Sequence, residues 1–361
     1  MNADLQQLID RIEPIDGNAM ERAQRRLDSL TKPQGSLGRL EELAQWLVGV
    51  TREERPRLPR KVVFTFAADH GVAAEGVSAF PAAVTPEMVK NFLRGGAAIN
   101  VLARQAKAEV VVADFGVATE FGDLKNLRSC KIAYGTANMA KGPAMTEDQA
   151  HQAILTGAQL AMAEKERGAT LFATGDMGIG NTTAASALVA ALTGAPVEEV
   201  TGRGTGIDDE GFRRKVNVIR QALEINKVDA ENPLAVMAKV GGFEIAGLVG
   251  VILAGAATRT PVLIDGFISG AAALVACRLA QPKPVRDYLA LAHLSVERGH
   301  QRIARELALV PLLDFRMRLG EGTGAALAMP LLDAACAIFS EMATFQEAGV
   351  PEKSEPASSA T

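Results

Sequence analysis

The sequence predicts an α/β protein organised around a parallel sheet. Three observations support this class. The chain has 361 residues, of which 48% are hydrophobic, so it can bury the core of two domains or of one large α/β domain. Short runs rich in β-branched and aromatic residues alternate with longer alanine-rich segments of helical period. Glycine and polar residues follow one apolar run after another, where open α/β sheets place their ligands.

Five runs are predicted as strands, and each is almost wholly apolar, as expected for a strand covered on both faces. They are Val62–Ala67, Val110–Ala113, Thr170–Thr174, Val262–Ile264 and Leu289–Ala292. The residues that follow them supply acidic, histidine or serine side chains next to glycines: Asp69, His70, Asp114, Asp176, Asp265, His293 and Ser295. A ligand site is therefore predicted at the carboxyl ends of the strands.

The two ends of the chain predict a smaller helical domain. Leu5, Leu8, Ile9 and Ile12 recur at helical spacing, and residues 310–345 comprise a glycine loop and an apolar helix that returns toward the N-terminal helices. We expect residues 1–60 and 310–345 to form this domain and residues 61–309 to form the large α/β domain. Residues 346–361 have no hydrophobic period and are predicted to be a disordered tail.

Composition argues against several classes of function. Lysine and arginine total 38 against 42 acidic residues, a net charge of −4, which favours neither nucleic-acid nor lipid binding. Cys130, Cys277 and Cys336 are widely separated, so neither a disulfide framework nor a thiolate metal site is indicated. The first residues do not have the pattern of a secretory signal. We therefore expect a cytoplasmic protein without a membrane span.

Three glycine-rich loops are candidate binding elements. Residues 175–183 follow a predicted strand and open a helix, an arrangement that suits an anion, although a tight turn explains it equally well. Residues 201–209 place Arg203 among glycines, which suits an oxyanion or a solvated loop with a capping aspartate. In residues 316–324 glycines flank Glu321. Burial there would raise its pKa toward the range of a general base, whereas the alternative is a favourable charge at a helix N-terminus.

Seven segments, in order along the chain, resemble the nicotinate-nucleotide:dimethylbenzimidazole phosphoribosyltransferase family. They are residues 30–41 (LTKPQGSLGRLE), 68–78 (ADHGV and EGVS), 178–183 (GIGNTT), 202–206 (GRGTG), 242–246 (GFEIA), 265–267 (DGF) and 319–324 (LGEGTG). The resemblance implies a Rossmann-like parallel sheet flanked by helices, with a smaller helical part built from both chain ends, and a homodimer. It also implies transfer of phosphoribose from nicotinate mononucleotide to 5,6-dimethylbenzimidazole in cobalamin synthesis, without a metal or another cofactor.

The resemblance assigns roles to individual residues. Glu321 corresponds to the catalytic base. The family often has a glutamate in place of Asp176. Phe80 and Met88 correspond to the pocket for the acceptor base, where some members have polar residues. The remaining residues expected to contact the substrates are Asp176, Gly178, Gly180, Gly202, Arg203, Gly204, Lys215, Asp265, Ser295 and Gly320.

Two alternatives stay open at the level of sequence. One is the same transfer to another base, because Phe80 and Met88 make the expected pocket apolar. A non-catalytic protein that binds a nucleotide or an azole is the other, although binding alone does not need a carboxylate at Glu321. A dinucleotide-dependent dehydrogenase is disfavoured, since its glycine fingerprint does not follow the first predicted strand.

Overall fold

Six strands form a single parallel sheet. The computed structural model describes residues 3–351. The strands are β1 (Lys61–Ala68), β2 (Ala108–Gly116), β3 (Leu127–Ser129), β4 (Leu171–Met177), β5 (Val262–Ile264) and β6 (Leu289–Leu291). Their order is β3-β2-β1-β4-β5-β6, and every neighbouring pair is parallel. This is the strand order of the Rossmann fold. The predicted α/β class with a Rossmann-like sheet is therefore confirmed.

All five predicted strands are present, and three of them are longer than predicted. The short edge strand β3 was not predicted, since Leu127–Ser129 is no apolar run and is recognised only by its pairing with β2.

Fifteen α-helices lie within the described residues. They are α1 (Ala3–Asp10), α2 (Gly17–Ser29), α3 (Arg39–Thr51), α4 (Val84–Arg94), α5 (Ala98–Gln105), α6 (Glu147–Glu166), α7 (Asn181–Thr193), α8 (Val197–Val200), α9 (Asp209–Ile225), α10 (Pro233–Val240), α11 (Phe243–Ala257), α12 (Phe267–Leu279), α13 (Arg298–Glu306), α14 (Thr323–Glu341) and α15 (Phe345–Ala348). Short 3₁₀ turns occupy Gly71–Glu75 and Val285–Tyr288.

Helix α11 is buried along almost its whole length and packs closely on α6. Glycines make this approach possible. A Cβ atom at Gly157 would lie 1.9 Å from the Gly247 carbonyl oxygen, and one at Gly250 would lie 1.9 Å from the Ile154 carbonyl oxygen. Because the backbones touch, α11 can sit tightly under the sheet and bring its N-terminus toward the loop that follows β1.

The chain divides into two compact units whose limits differ from the expected ones. The larger contains the described residues up to Pro14 and Pro59–Met329; the smaller contains Ile15–Leu58 and the described residues from Pro330 onward. The first helix belongs to the larger unit because its apolar side chains are buried there and Tyr288 Oη donates to the Glu13 carbonyl. Residues 310–329 also belong to it.

The smaller unit is helical, and an isolated bridge between Leu30 and Thr344 links its two chain segments. The predicted tail begins too early at residue 346, because Phe345–Ala348 is helical and Thr344 caps it. Residues 352–361 lie outside the described part of the chain.

Helix α14 alone among the described helices is long and apolar enough to cross a membrane by length and composition. Just over half of its apolar window, 56%, is buried inside the protein. Such burial is typical of a packed core helix.

Candidate active site

A cavity of about 310 Å³ lies at the carboxyl ends of the strands. Its walls include the end of β4 and the loop after it (residues 176–182), residues 266–268 after β5, His293 and Ser295 after β6, and residues 318–321 before α14. The cavity is within the size range of small-molecule sites, about 300–1,000 Å³. The predicted site residues that line it are Phe80, Met88, Asp176, Gly178, Gly180, Gly204, Ser295, Gly320 and Glu321.

Glu321 adopts a left-handed backbone conformation, with φ +64°, between Gly320 at φ +84° and Gly322 at φ +98°. A non-glycine residue in this region is strained and is held by its surroundings. The Glu321 N–H donates to the Asp176 carbonyl oxygen at 3.1 Å, and Thr65 Oγ1 donates to the Glu321 carbonyl oxygen at 2.9 Å. These bonds from two neighbouring strands place the glutamate at the cavity wall.

The Glu321 carboxylate is almost buried and faces the start of α5. Its Oε2 accepts a hydrogen bond of 3.1 Å from the Ile99 N–H in the first turn of that helix. Burial raises the pKa of Glu321, and the bond from Ile99 opposes the increase. A carboxylate with a raised pKa, fixed at one oxygen, is suited to accept a proton from a bound molecule.

Asp176 is a second carboxylate in the cavity, at the end of β4. Its Oδ2 accepts from Asn181 Nδ2 at 2.9 Å, while its buried Oδ1 has no hydrogen-bond partner within the described residues. Burial, together with the nearby carboxylates of Asp265, Glu244 and Glu321, raises the pKa of Asp176 well above its usual value. An unpaired buried oxygen at a cavity wall is suited to bind a hydroxyl group of a ligand.

Asp265 does not line the cavity, contrary to the prediction. It is fully buried, and its two oxygens accept from the backbone N–H groups of Gly322, at 3.2 Å, and Ala325, at 3.0 Å. Burial raises the pKa of Asp265 to about 7, and these backbone bonds limit the increase. Asp265 therefore caps the N-terminus of α14 and supports the loop that carries Glu321.

The loop 178–180 leads into α7 and forms one wall of the cavity. Gly180 has φ +98°, and a Cβ at Gly178 would lie 2.5 Å from the Ala68 carbonyl oxygen, so both positions require glycine. Beneath the loop, His70 Nε2 and Glu244 Oε1 are 2.6 Å apart in a fully buried pair. His70 thus has a structural partner, and the N–H groups at the start of α7 border the cavity.

Lys215 reaches the cavity wall from behind. It is fully buried on α9, and its Nζ donates to Thr182 Oγ1 at 2.8 Å. Burial lowers the pKa of Lys215 to about 8, and the charge of Glu297 opposes the decrease. Lys215 therefore places positive charge just behind Thr182, which lines the cavity.

Arg203 and Gly202, which are predicted to contact the substrates, lie outside the cavity wall. The Arg203 guanidinium donates to the Ile207 carbonyl oxygen, pairs with Asp209 and lies 5.8 Å from the centre of the Phe212 ring. Its charge is thus used to close its own loop. Gly202 leaves space for a neighbouring side chain, since a Cβ there would lie 1.7 Å from Glu297 Oε2.

Two charged residues of the cavity wall, Glu297 and Arg318, were not predicted from the sequence. Arg318 donates to the Gly204 carbonyl oxygen at 2.6 Å, and Glu297 Oε1 accepts from the Gly204 N–H at 3.1 Å. Both contacts join segments about a hundred residues apart, so local spacing carries no signal for Glu297. Arg318 stands in the glycine-rich loop already singled out and was open to recognition there.

Two histidines also adjoin this wall. His293 lines the cavity, and its Nδ1 has no hydrogen-bond partner in the described part of the chain. His300 Nδ1 accepts from the Ser295 N–H at 2.9 Å, and burial lowers the pKa of His300 to about 3. His300 is therefore neutral at pH 7 and fixes the backbone of Ser295. Residues 3–351 contain no group of three or more metal-ligating side chains arranged for a metal ion.

A Rossmann-type sheet with a glycine turn at a helix N-terminus and a buried carboxylate over one cavity defines a nucleotide-handling α/β enzyme. Residues 12–350 match a family model described as phosphoribosyltransferase. The chain belongs to this phosphoribosyltransferase family, and the resemblance inferred from its motifs is confirmed.

Relatives named nicotinate-nucleotide–dimethylbenzimidazole phosphoribosyltransferase align over almost the whole chain. The protein of Chloroflexus aggregans is 59% identical over 351 residues, 97% of this chain and 99% of its own length. That of Desulforudis audaxviator is 57% identical over 348 residues, 96% and 98% of the two chains. The crystal structure of CobT from Thermus thermophilus superposes with a TM-score of 0.89 at 49% identity, covering 93% of this chain and all of that one.

Proposed function

We propose that this enzyme transfers the 5-phosphoribosyl group of nicotinate mononucleotide to 5,6-dimethylbenzimidazole, releasing nicotinate and forming α-ribazole 5′-phosphate for the nucleotide loop of cobalamin. The observation that carries the proposal is Glu321, a buried carboxylate with a raised pKa, held in a left-handed conformation at the wall of the cavity. A protein that only bound a nucleotide would gain nothing from that strain.

The chemistry follows from the two substrates. The donor is an N-ribosylated pyridinium, so cleavage of its glycosidic bond returns the electron pair to the ring nitrogen and leaves neutral pyridine nitrogen. The acceptor attacks the anomeric carbon with one imidazole nitrogen, from the face opposite the leaving ring, and the configuration inverts. Glu321 accepts the proton from the other imidazole nitrogen. General-base assistance of this kind is worth about 10²- to 10⁴-fold in rate.

The remaining cavity residues support binding of the donor. The N-terminus of α7, Lys215 behind Thr182, and Arg318 present positive potential that suits a phosphate and a carboxylate. We assign Asp176 Oδ1 to a ribose hydroxyl, because this buried oxygen lacks a partner within the described residues. Ser295, Gly178, Gly180, Gly204 and Gly320 then shape the wall around the donor.

Phe80 and Met88 are assigned to the acceptor. Both line the same cavity, and Phe80 is 54% exposed, so an aromatic base could cover its ring. Neither Phe80 nor Met88 has a polar group that would select one heterocycle. Competition among 5,6-dimethylbenzimidazole, other benzimidazoles, purines and phenols therefore tests which acceptor the enzyme prefers.

The decisive experiment measures nicotinate release from nicotinate mononucleotide with and without 5,6-dimethylbenzimidazole, for the wild type and Glu321→Gln. We expect release that depends on the base and falls at least 100-fold in the variant, while calorimetry shows unchanged donor binding. Turnover of Glu321→Gln near the wild-type rate would show that Glu321 is not the base. A folded wild type that releases no nicotinate with any acceptor would favour the binding-protein alternative.

We further propose that the enzyme is a cytoplasmic homodimer. Val296, Phe315 and Leu319 are exposed apolar side chains near the cavity, and the Val296 N–H donates to the Met317 carbonyl oxygen within the same region. Contiguous exposed apolar surface favours association. Light scattering at micromolar concentration should give twice the chain mass, and Phe315→Ser should lower it; a monomeric wild type contradicts the proposal. Cys130 and Cys277 are free thiols, in keeping with a reducing compartment.

A further inference from the structure

Glu297 is a buried acid whose role the reaction itself does not explain. It stands immediately before α13, is 5% exposed and lines the cavity. Its Oε1 has one hydrogen bond, and its Oε2 has none within the described residues. A buried carboxylate oxygen without a partner is costly, and here it stands on the side of the cavity that we assign to an anion. Such an arrangement needs a compensating function.

One effect of Glu297 is on the loop 202–206. Its Oε1 accepts from the Gly204 N–H at 3.1 Å, while Arg318 donates to the carbonyl oxygen of the same glycine at 2.6 Å. The carboxylate lies directly over Gly202, where a Cβ would be 1.7 Å from Oε2. Two charged side chains thus hold Gly204 through its N–H and its carbonyl oxygen. Hydrogen bonds to charged groups are stronger than those between neutral groups.

The second effect is on Lys215. This ammonium is fully buried, and its Nζ would lie 3.3 Å from a Cβ at Gly204, so it adjoins the loop that Glu297 holds. Burial lowers the pKa of Lys215 to about 8, and Glu297 is the acidic group that raises it. Lys215 Nζ donates to Thr182, and the charge of Glu297 acts on the ammonium through space.

The other charged groups around Lys215 are neutral, paired with one another or exposed. From helix α7, the Thr182 hydroxyl accepts a hydrogen bond from Lys215, and the helix contains no charged residue. His300 of α13 is neutral at pH 7 because burial lowers its pKa to about 3. The charged residues of α8 and α9 and those beside them are Glu198 paired with Arg220, Arg214 paired with Glu210, Asp209 paired with Arg203, Arg298 over the Phe212 ring, and the exposed Glu199, Arg213 and Glu224.

We propose that Glu297 is a positioning residue for the phosphate of the donor: it holds the loop 202–206 through Gly204 and maintains the positive charge of Lys215. The proposal rests on the proposed function, which supplies the phosphate. Glu297 does not touch the reacting atoms. It acts through Gly204 and Lys215.

The test compares Glu297→Gln, which keeps an oxygen for Gly204 but removes the charge, with Glu297→Asp, which keeps the charge. Glu306→Gln on the same helix is the matched control, since Glu306 pairs with Arg278 at the surface. The KM for nicotinate mononucleotide and the Kd for sulfate, whose charge is constant in this range, are measured from pH 6 to pH 9.5. The affinity for both ligands should fall as the pH rises, and we expect Glu297→Gln to lower the midpoint of this fall by about one pH unit. At pH 8.5 the shift weakens the binding of nicotinate mononucleotide and of sulfate to Glu297→Gln roughly eightfold. The kcat of this variant should change less than about threefold.

Glu297→Asp and Glu306→Gln should retain the wild-type midpoint. Gly202→Ala should mimic Glu297→Gln, because its methyl group displaces the carboxylate, and the double variant should shift no further. Superimposed pH profiles of Glu297→Gln and wild type would overturn the proposal, as would an equal loss of affinity at every pH or an additive shift in the double variant. If the wild type releases no nicotinate, the proposed reaction fails, while the sulfate profiles still decide the role of Glu297.

Discussion

Replacing Gly175 by alanine tests whether the backbone position of Glu321 controls the reaction. Gly175 lies in β4, beside Thr65 of β1. A Cβ at Gly175 would lie 2.3 Å from the Glu321 carbonyl oxygen and 2.8 Å from the Gly322 nitrogen. Ordinary contacts begin near 3.4 Å, so the loop carrying Glu321 must withdraw by about 1 Å. The Thr65 hydroxyl, which donates to that carbonyl at 2.9 Å, resists the movement.

The expected effect of Gly175→Ala is a loss of turnover larger than the loss of stability. Misplacement of a catalytic group by about 1 Å costs on the order of 100-fold in rate, whereas overpacking of this size costs about 1–3 kcal/mol of unfolding free energy. Nicotinate release under saturating substrates gives kcat, and urea denaturation gives stability. Gly142→Ala is the control, because a Cβ there meets nothing within 4 Å.

The donor affinity of Gly175→Ala shows whether a loss of turnover comes from displacement of Glu321 or from general damage to the site. We expect the Kd for nicotinate mononucleotide of Gly175→Ala to stay within about threefold of wild type, since the Cβ meets Glu321 and Gly322, whereas the charged groups assigned to the donor are Lys215 and Arg318. A variant with the wild-type kcat would refute the argument that close packing of β4 on the loop sets the position of the base.

Three further predictions concern stability and specificity. His300 has a pKa of about 3 in the folded protein against about 6.5 when unfolded, so the unfolded chain takes up the proton first as pH falls. Between pH 7 and 4.5 the wild type should therefore lose about 2.5 kcal/mol more unfolding free energy than His300→Gln. Denaturant titrations measure this loss, and equal losses in the two proteins would contradict the prediction. Lys32 and Glu41 form a buried ion pair with a nitrogen–oxygen distance of 2.9 Å. Glu41→Gln should lower the unfolding free energy by about 3–5 kcal/mol, and the double variant Lys32→Met/Glu41→Leu should recover most of this loss. A loss below about 1 kcal/mol in Glu41→Gln, measured by denaturant titration, would refute the argument. Phe80→Ser should raise the KM for 5,6-dimethylbenzimidazole roughly three- to tenfold in steady-state assays and leave the donor Kd unchanged; the reverse pattern would assign Phe80 to the donor.

Much of the fold was predictable because its signals are local. The apolar runs of β1, β2 and β4–β6 record burial on both faces of the sheet, and burial is a property of each run by itself. Strand β3 has no such run, since Leu127–Ser129 is partly exposed. It becomes a strand only through its hydrogen bonds to β2, which no inspection of three residues can reveal.

The candidate site likewise contains residues that the local sequence reveals and residues that it does not. Glu321 was recognised because the glycines around it are neighbours in sequence and permit its left-handed conformation. Arg203 stays a prediction as a substrate contact, and an arginine among glycines gives no indication that Asp209 and Ile207 will contact its guanidinium. Asp265 was expected to line the pocket and does not, for a related reason. Its carboxylate follows a strand as a binding residue would, but the start of α14 takes both of its oxygens.

The sequence by itself determined the α/β class, the family, and the strand ends and glycine loops that form the cavity, because these depend on residue spacings that persist along the chain. Only the tertiary structure decided which side chains face the cavity and which are used to hold it. Glu297 meets Gly204 across 93 residues, and Lys215 meets Thr182 across 33. Such contacts arise when separate loops converge at one edge of the sheet, and the geometry of that convergence sets the partner and the charge state of each buried group.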